Sequence, residues 1–139
     1  MKLAAAGQNE RLSSSFCNRR QIRKSTRRRM AAFLSKMDKV AGLKEILELD
    51  PKNSFARYGL AMELASLGET AASLTEFDTL LANDPGYTAG YFMAAQTLVA
   101  AGRTHEAIAR LKTGIESAER SGNHHAVSEM QAMLEDLER

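Results

Sequence analysis

The feature that most constrains this chain is a punctuation mark that returns after 34 residues: Asp50-Pro51-Lys52-Asn53 is followed by Asp84-Pro85-Gly86-Tyr87. Proline has no backbone N–H to donate and interrupts a helix, so the two marks cut the chain into units of equal length. At the same offset Ala61 falls on Ala95, Leu64 on Leu98, Gly68 on Gly102 and Thr70 on Thr104, with Tyr58 on Phe92 and Phe77 on Leu111. A fixed period of this size points to stacked helical units, each leaving an apolar face that only its neighbour can cover.

Each period holds two helices. A first helix is expected from about residue 53 or 54 to 67 and again from about 87 to 101, bounded by Pro before and Gly after. The second helix occurs three times, because Val40, Leu74 and Ile108 align, as do Leu43, Phe77 and Leu111, and then Leu47, Leu81 and Ile115. Its first copy, from about Asp38 to Leu49, places Val40, Leu43, Ile46 and Leu47 on one face at spacings of three and four. Gly68 and Gly102 are expected to take the left-handed turn that ends a helix without a Cβ penalty. Thr70 and Thr104 then stand where an N-cap could satisfy the free amides of the next helix. Small residues such as Ala61 and Ala95 let antiparallel helices approach closely.

The pattern fades after Leu111. Gly114 stands where a larger residue is expected, Ala118-Glu119 replaces Asp-Pro, and Ser121-Gly122-Asn123 breaks the chain. A last amphipathic helix from about His124 to Leu137 offers Val127, Met130, Met133, Leu134 and Leu137 to the core, and turns Glu129, Glu135, Asp136 and Glu138 outward. That is the expected composition of a helix that caps an array.

Charge divides the chain more sharply than its net +2 indicates. Residues 1–36 carry ten Lys or Arg and one acid, a net +9, whereas residues 37–139 carry nine Lys or Arg and sixteen acids, a net −7. The segment RLSSSFCNRRQIRKSTRRR has too few apolar residues at a regular period to bury a face, and a disordered arm is expected. Stepping back 34 residues from Ala61 and Leu64 lands on Arg27 and Met30, so the repeat does not extend upstream. Three readings of the arm stand side by side: a start assigned too far upstream, with Met30 or Met37 as the true first residue; an Arg-rich, acid-poor targeting segment; and a polybasic tail for nucleic acid or anionic membrane.

Few residues offer chemistry. The 44% hydrophobic and 26% charged composition is that of a globular domain. No run of about 18 apolar residues exists, so no membrane span is expected. The single Cys17 can form no internal disulfide, lies in the arm without a His or carboxylate beside it, and fits a reducing, cytoplasmic setting. His105, His124 and His125 are the only imidazoles, and none has a second His at the helical spacing that binds zinc. His124 and His125 point to different sides of a helix and read as surface residues at its start. Neither a glycine-rich phosphate loop nor a calcium loop is present, and no enzyme, metal, cofactor or small-molecule substrate is expected.

Taken together, the alanine and leucine of the first helix, the glycine at the turn, the aromatic of the second helix and the closing proline resemble the tetratricopeptide repeat. The resemblance covers residues 38–119 and implies an all-α fold: a short right-handed α-solenoid of antiparallel helix pairs, about six helices in all. Residues 1–36 form a separate extension, and residues 37–139 hold a half repeat (38–53), two full repeats (about 54–87 and 88–121) and a cap helix (123–138). In that family the first helices line a concave groove that holds peptide segments. Carried over, the groove positions are Phe55, Tyr58, Gly59, Met62 and Ser66 in one helix, and Ala89, Phe92, Met93 and Gln96 in the next. A carboxylate clamp of the family uses Lys, Arg and Asn on these faces; here Tyr58, Met62 and Phe92 stand instead, so no clamp is expected. The implied partner is an apolar or amphipathic segment of another protein, or a second copy of the chain, with nucleic acid or membrane an alternative only through the basic arm.

Overall fold

The computed structural model describes the backbone of residues 6–139 and the side chains of residues 19–139. Cys17 therefore lies outside the residues whose side chains are described. Among the described residues six helices follow in order: α1 (Ala6–Leu49), α2 (Ser54–Ser66), α3 (Thr70–Asn83), α4 (Thr88–Ala100), α5 (Thr104–Arg120) and α6 (His124–Glu138). No strand occurs among the described residues. The chain divides into two units, Met1–Met37 and Asp38–Arg139.

In the first unit the structure departs from the expected disorder. Residues from Ala6 onward are helical, and from Arg19 to Ser35 every side chain is exposed. The reason lies in local propensity: Arg, Lys, Gln, Ala, Leu and Met are strong helix formers, and no Pro interrupts the chain before Pro51.

In the second unit the helices pair as the period requires. α2 packs on α3 and α4 on α5, and α3 meets α4 across the next interface. Alanine makes this possible: Ala61, Ala94, Ala95, Ala107 and Ala118 have no exposed surface. Between them the larger side chains fill three clusters, with Phe77, Leu80, Leu111 and Met130 at most 1% exposed. Hydrogen bonds tie the helices at buried points. The Ser73 hydroxyl donates to the Ala61 carbonyl at 2.7 Å, joining α3 to α2. In the α3–α4 turn the Pro85 carbonyl accepts from both Ser117 of α5, at 2.6 Å, and Tyr91 of α4, at 3.1 Å.

The turns follow two designs. Gly68, Gly102 and Gly122 adopt φ of 83°, 75° and 71°. After each, the next residue donates back across the turn: Glu69 to Leu64, Arg103 to Leu98 and Asn123 to Ala118, at 2.9 to 3.0 Å. The Asp-Pro turns instead close when Asp50 and Asp84 accept from the N–H of Asn53 and Tyr87, both at 3.1 Å. Asn53 caps α2 through its side chain, and Asn123 caps α6 in the same way. The expected Thr caps are not formed. With one residue between glycine and helix, the cap positions fall on Glu69 and Arg103, neither of which makes a side-chain cap bond, and Thr70 and Thr104 become the first helical residues.

Two further positions differ from the sequence pattern. Ile46 aligns with Leu80, yet it is 45% exposed where Leu80 is fully buried. Leu80 packs with Ala61 of α2 and Ala94 of α4, whereas the half repeat has no first helix of its own to set beside Ile46. Gly114, which looked like a weakening of the motif, is a notch. A Cβ there would lie 2.6 Å from the Tyr91 Cβ and 2.7 Å from the Met130 sulfur, so only glycine lets α6 settle on α5 beside α4. We expect Gly114→Ala to destabilise the protein by about 1–3 kcal/mol in urea unfolding, because overpacking at this contact outweighs the gain of up to about 1 kcal/mol in helix propensity.

Candidate functional site

The expected groove residues do not all share one surface. Tyr58 of α2 and Ala89, Phe92 and Met93 of α4 line a cavity of about 250 Å³. The other five lie elsewhere. Phe55, at the start of α2, is 79% exposed. Gly59 faces α1, where a Cβ would meet Leu43 at 3.3 Å. Met62 packs against the cluster of Ala61, Phe77 and Leu80. Ser66 is exposed and donates to the Glu63 carbonyl at 2.9 Å, and Gln96 is exposed on α4.

The far wall of the cavity is a helix that sequence reasoning left out of the site. Asn123, His125, Ala126, Glu129 and Met130, all at or in α6, complete it. α6 packs on α5 and touches α4, just as α4 packs on α3 and touches α2. The cap helix thus occupies the place of a further first helix, and it presents His125 and Glu129 where α4 presents Ala89 and Met93. A signal was available. The helix-capping positions are Asn53, Tyr87 and Asn123, and their spacing grows from 34 to 36 residues because α5 runs 17 residues against 14 in α3 while the turn that follows it is one residue shorter. That two-residue slip hid the equivalence.

Aromatic rings back the Tyr58 wall. The Tyr58 ring stands 5.4 Å from that of Tyr87, tilted by 43°, and 6.3 Å from Phe77 in an edge-to-face arrangement. Such pairs favour this geometry because the positive ring edge meets the negative ring face. Phe92 is half-buried against the cluster that includes Leu98 and Met130, and Met93 against the one that includes Ala94. The rim is polar. Asn123 donates to the Thr88 hydroxyl at 3.3 Å, and the His125 Nε2 lies 3.4 Å from a Glu129 carboxylate oxygen. Neither Lys nor Arg is among the lining residues.

Burial of Tyr58 and Tyr87 also changes their acid–base behaviour. Desolvation raises the pKa of Tyr58, and raises that of Tyr87, whose proximity to Tyr58 and Asp84 adds to the effect. The folded state therefore retains phenol protons that an unfolded chain loses near pH 10. Their contribution to stability is complete below that pH and declines as pH rises through the higher folded values. In a spectrophotometric alkaline titration, Tyr58→Phe should remove a late-titrating phenol, and stability should begin to fall above about pH 10.

A second cleft, of about 520 Å³, lies on the other side, between α3 and α5. Its walls are charged and already paired: Arg103 holds Glu106 through two hydrogen bonds of 2.7 and 2.6 Å, and Arg110 bonds Asp78. The bond from Arg103 lowers the pKa of Glu106. These exposed pairs leave little unsatisfied chemistry for a ligand. No cluster of three or more metal-ligating side chains occurs among the described residues, and no helix among them is long and apolar enough to cross a membrane.

Antiparallel helix pairs, returning at a constant interval and stacked through small residues, define this unit as a helical-repeat solenoid. Comparison with solved structures is specific. A tetratricopeptide repeat domain protein from Salinibacter ruber is 31% identical, with a TM-score of 0.61, over 64% of this chain and 90% of that one. The chain belongs to the tetratricopeptide repeat family. More distant structures share the fold. The TPR2B domain of yeast Sti1 in complex with pHsp70 is 16% identical at a TM-score of 0.67, covering 76% of this chain and 87% of that one. PcrH in complex with the chaperone binding region of PopD is 19% identical at 0.68, covering 74% and 78%. No protein-family model and no curated protein matches the sequence.

Proposed function

We propose that this protein is an interaction scaffold that takes an apolar or amphipathic segment of another protein into the groove between α2, α4 and α6. The observation that carries the reading is the cavity walled by Tyr58, Phe92 and Met93, which is apolar where a bound chain would rest and polar only at its edge. Pockets of this kind, with a few polar groups to fix orientation, are the usual form of a binding site. Each large side chain covered by a partner contributes roughly 1.5 to 3 kcal/mol. The complexes of Sti1 with pHsp70 and of PcrH with a region of PopD support peptide capture as a use of this fold.

The chemistry of the walls narrows the partner. Tyr58, Met62 and Phe92 stand at positions where a carboxylate clamp would need cations, and the cavity's lining includes the acid Glu129 and the imidazole of His125 but no Lys or Arg. A segment with one or two apolar anchors and a neutral or basic flank fits; an acidic C-terminal tail does not. The role is that of a scaffold without catalysis, in the reducing cytoplasmic setting that a lone cysteine suits.

Selection from a random peptide display library against the folded protein should enrich sequences with paired apolar residues and few acids. Tyr58→Ala combined with Phe92→Ala should weaken the selected peptides at least about tenfold, as loss of central aromatic anchors does, while circular dichroism shows helicity unchanged. Undiminished binding by the double variant would reject the groove. Concentration-dependent dimerisation lost in the same variant would identify a second copy as the occupant.

A further inference from the structure

The N-terminal unit carries a second surface that the groove does not use. From Arg19 to Lys36 there are eight Lys or Arg, and no Asp or Glu occurs between Glu10 and Asp38. Seven of the eight lie in the three turns from Arg19 to Arg29. The next two turns are different: Met30, Phe33, Leu34 and Met37 recur at i, i+3, i+4 and i+7 and so share one stripe. Ile22, eleven residues before Phe33, lies on the same side. All five are between 46% and 57% exposed.

We propose that this part of α1 is a docking surface for an anionic lipid membrane, with the basic turns against the headgroups and the Met30, Phe33, Leu34 and Met37 stripe at their boundary with the acyl chains. Charge complementarity selects an anionic partner, since eight cations stand together without an acid among them. The stripe then separates lipid from nucleic acid. Phosphate contacts satisfy Arg and Lys but leave Phe33 and Leu34 in water, whereas the interface of a bilayer accommodates both. Arg19 and Arg23 lie on the stripe side, and their long apolar stems let the guanidinium groups reach outward to the headgroups. Parallel pairing of two stripes from two copies would set both basic runs side by side, where like charges repel. The proposal is independent of the groove.

The chain contains no Trp, so Phe33→Trp in the full-length protein introduces a single fluorophore. With vesicles of phosphatidylserine in phosphatidylcholine, its emission should move to shorter wavelength and the protein should co-sediment; pure phosphatidylcholine should produce neither effect. Because each basic residue near such a surface strengthens binding about fivefold, joint substitution of Arg27, Arg28 and Arg29 by Gln should lower vesicle affinity on the order of a hundredfold. Met30→Gln with Leu34→Gln, in the Phe33→Trp background, should abolish the spectral shift and leave a weaker, salt-sensitive association. Tyr58→Ala with Phe92→Ala should change none of this. Co-sedimentation without a spectral shift would overturn the proposal, as would tighter binding to duplex DNA or RNA than to anionic vesicles. A shift without vesicles, accompanied by a dimer mass, would assign the stripe to a second copy and equally overturn it.

Discussion

Everything in the second unit depends on how closely neighbouring helices approach. Ala61, Ala94, Ala95, Ala107 and Ala118 are wholly buried, and the Ser73 hydroxyl reaches a carbonyl of the neighbouring helix at the same kind of contact. At these points backbones come together until the larger residues on either side interlock. A methyl group too many has no space, because protein interiors are packed as densely as crystals. Gly114 is the extreme case, where even one Cβ collides with Tyr91 and Met130. The aromatic contacts behind the Tyr58 wall follow from this spacing, since Tyr58 meets Tyr87 and Phe77 only when α2, α3 and α4 are held at these distances.

The groove is therefore a by-product of stacking. First helices face one side and second helices the other, so residues chosen for one side need not pack the core. On the first-helix side Tyr58, Phe92, Met93 and small residues line the cavity, with Asn123, His125 and Glu129 at its rim; on the other, Arg103, Glu106, Arg110 and Asp78 form pairs open to solvent. The contrast between a largely apolar cavity and a charge-paired cleft is what supports the proposed recognition by α2, α4 and α6.

Much of this was legible in the sequence. The interval of 34 residues located the paired helices, and the glycine turns and the buried alanines and leucines lay where the period placed them. Information carried by geometry alone was harder to read. Gly59 aligned with a groove position, but its face depends on where α1 lies. Thr70 and Thr104 looked like caps, yet the glycine turn is so tight that the helix begins on them. The role of α6 was obscured by the lengthening of α5, which moved His125 and Glu129 out of register with Ala89 and Met93. The helical arm was missed for another reason: its apolar stripe begins at Met30, after the basic run that drew attention, and high helix propensity needs no core to express itself locally.

The two ends of the solenoid are not alike. At the C-terminal end Met130 is sunk into the Gly114 notch and sealed there. At the N-terminal end Ile46, Leu49 and Phe55 remain open to water. A linear array in which each layer leans only on its neighbours loses order first where a layer has one neighbour instead of two. Fraying should thus enter from the half repeat and run inward, so that backbone amides of α2 exchange with solvent before those of α5, and the last pair of helices to come apart is the one the notch locks.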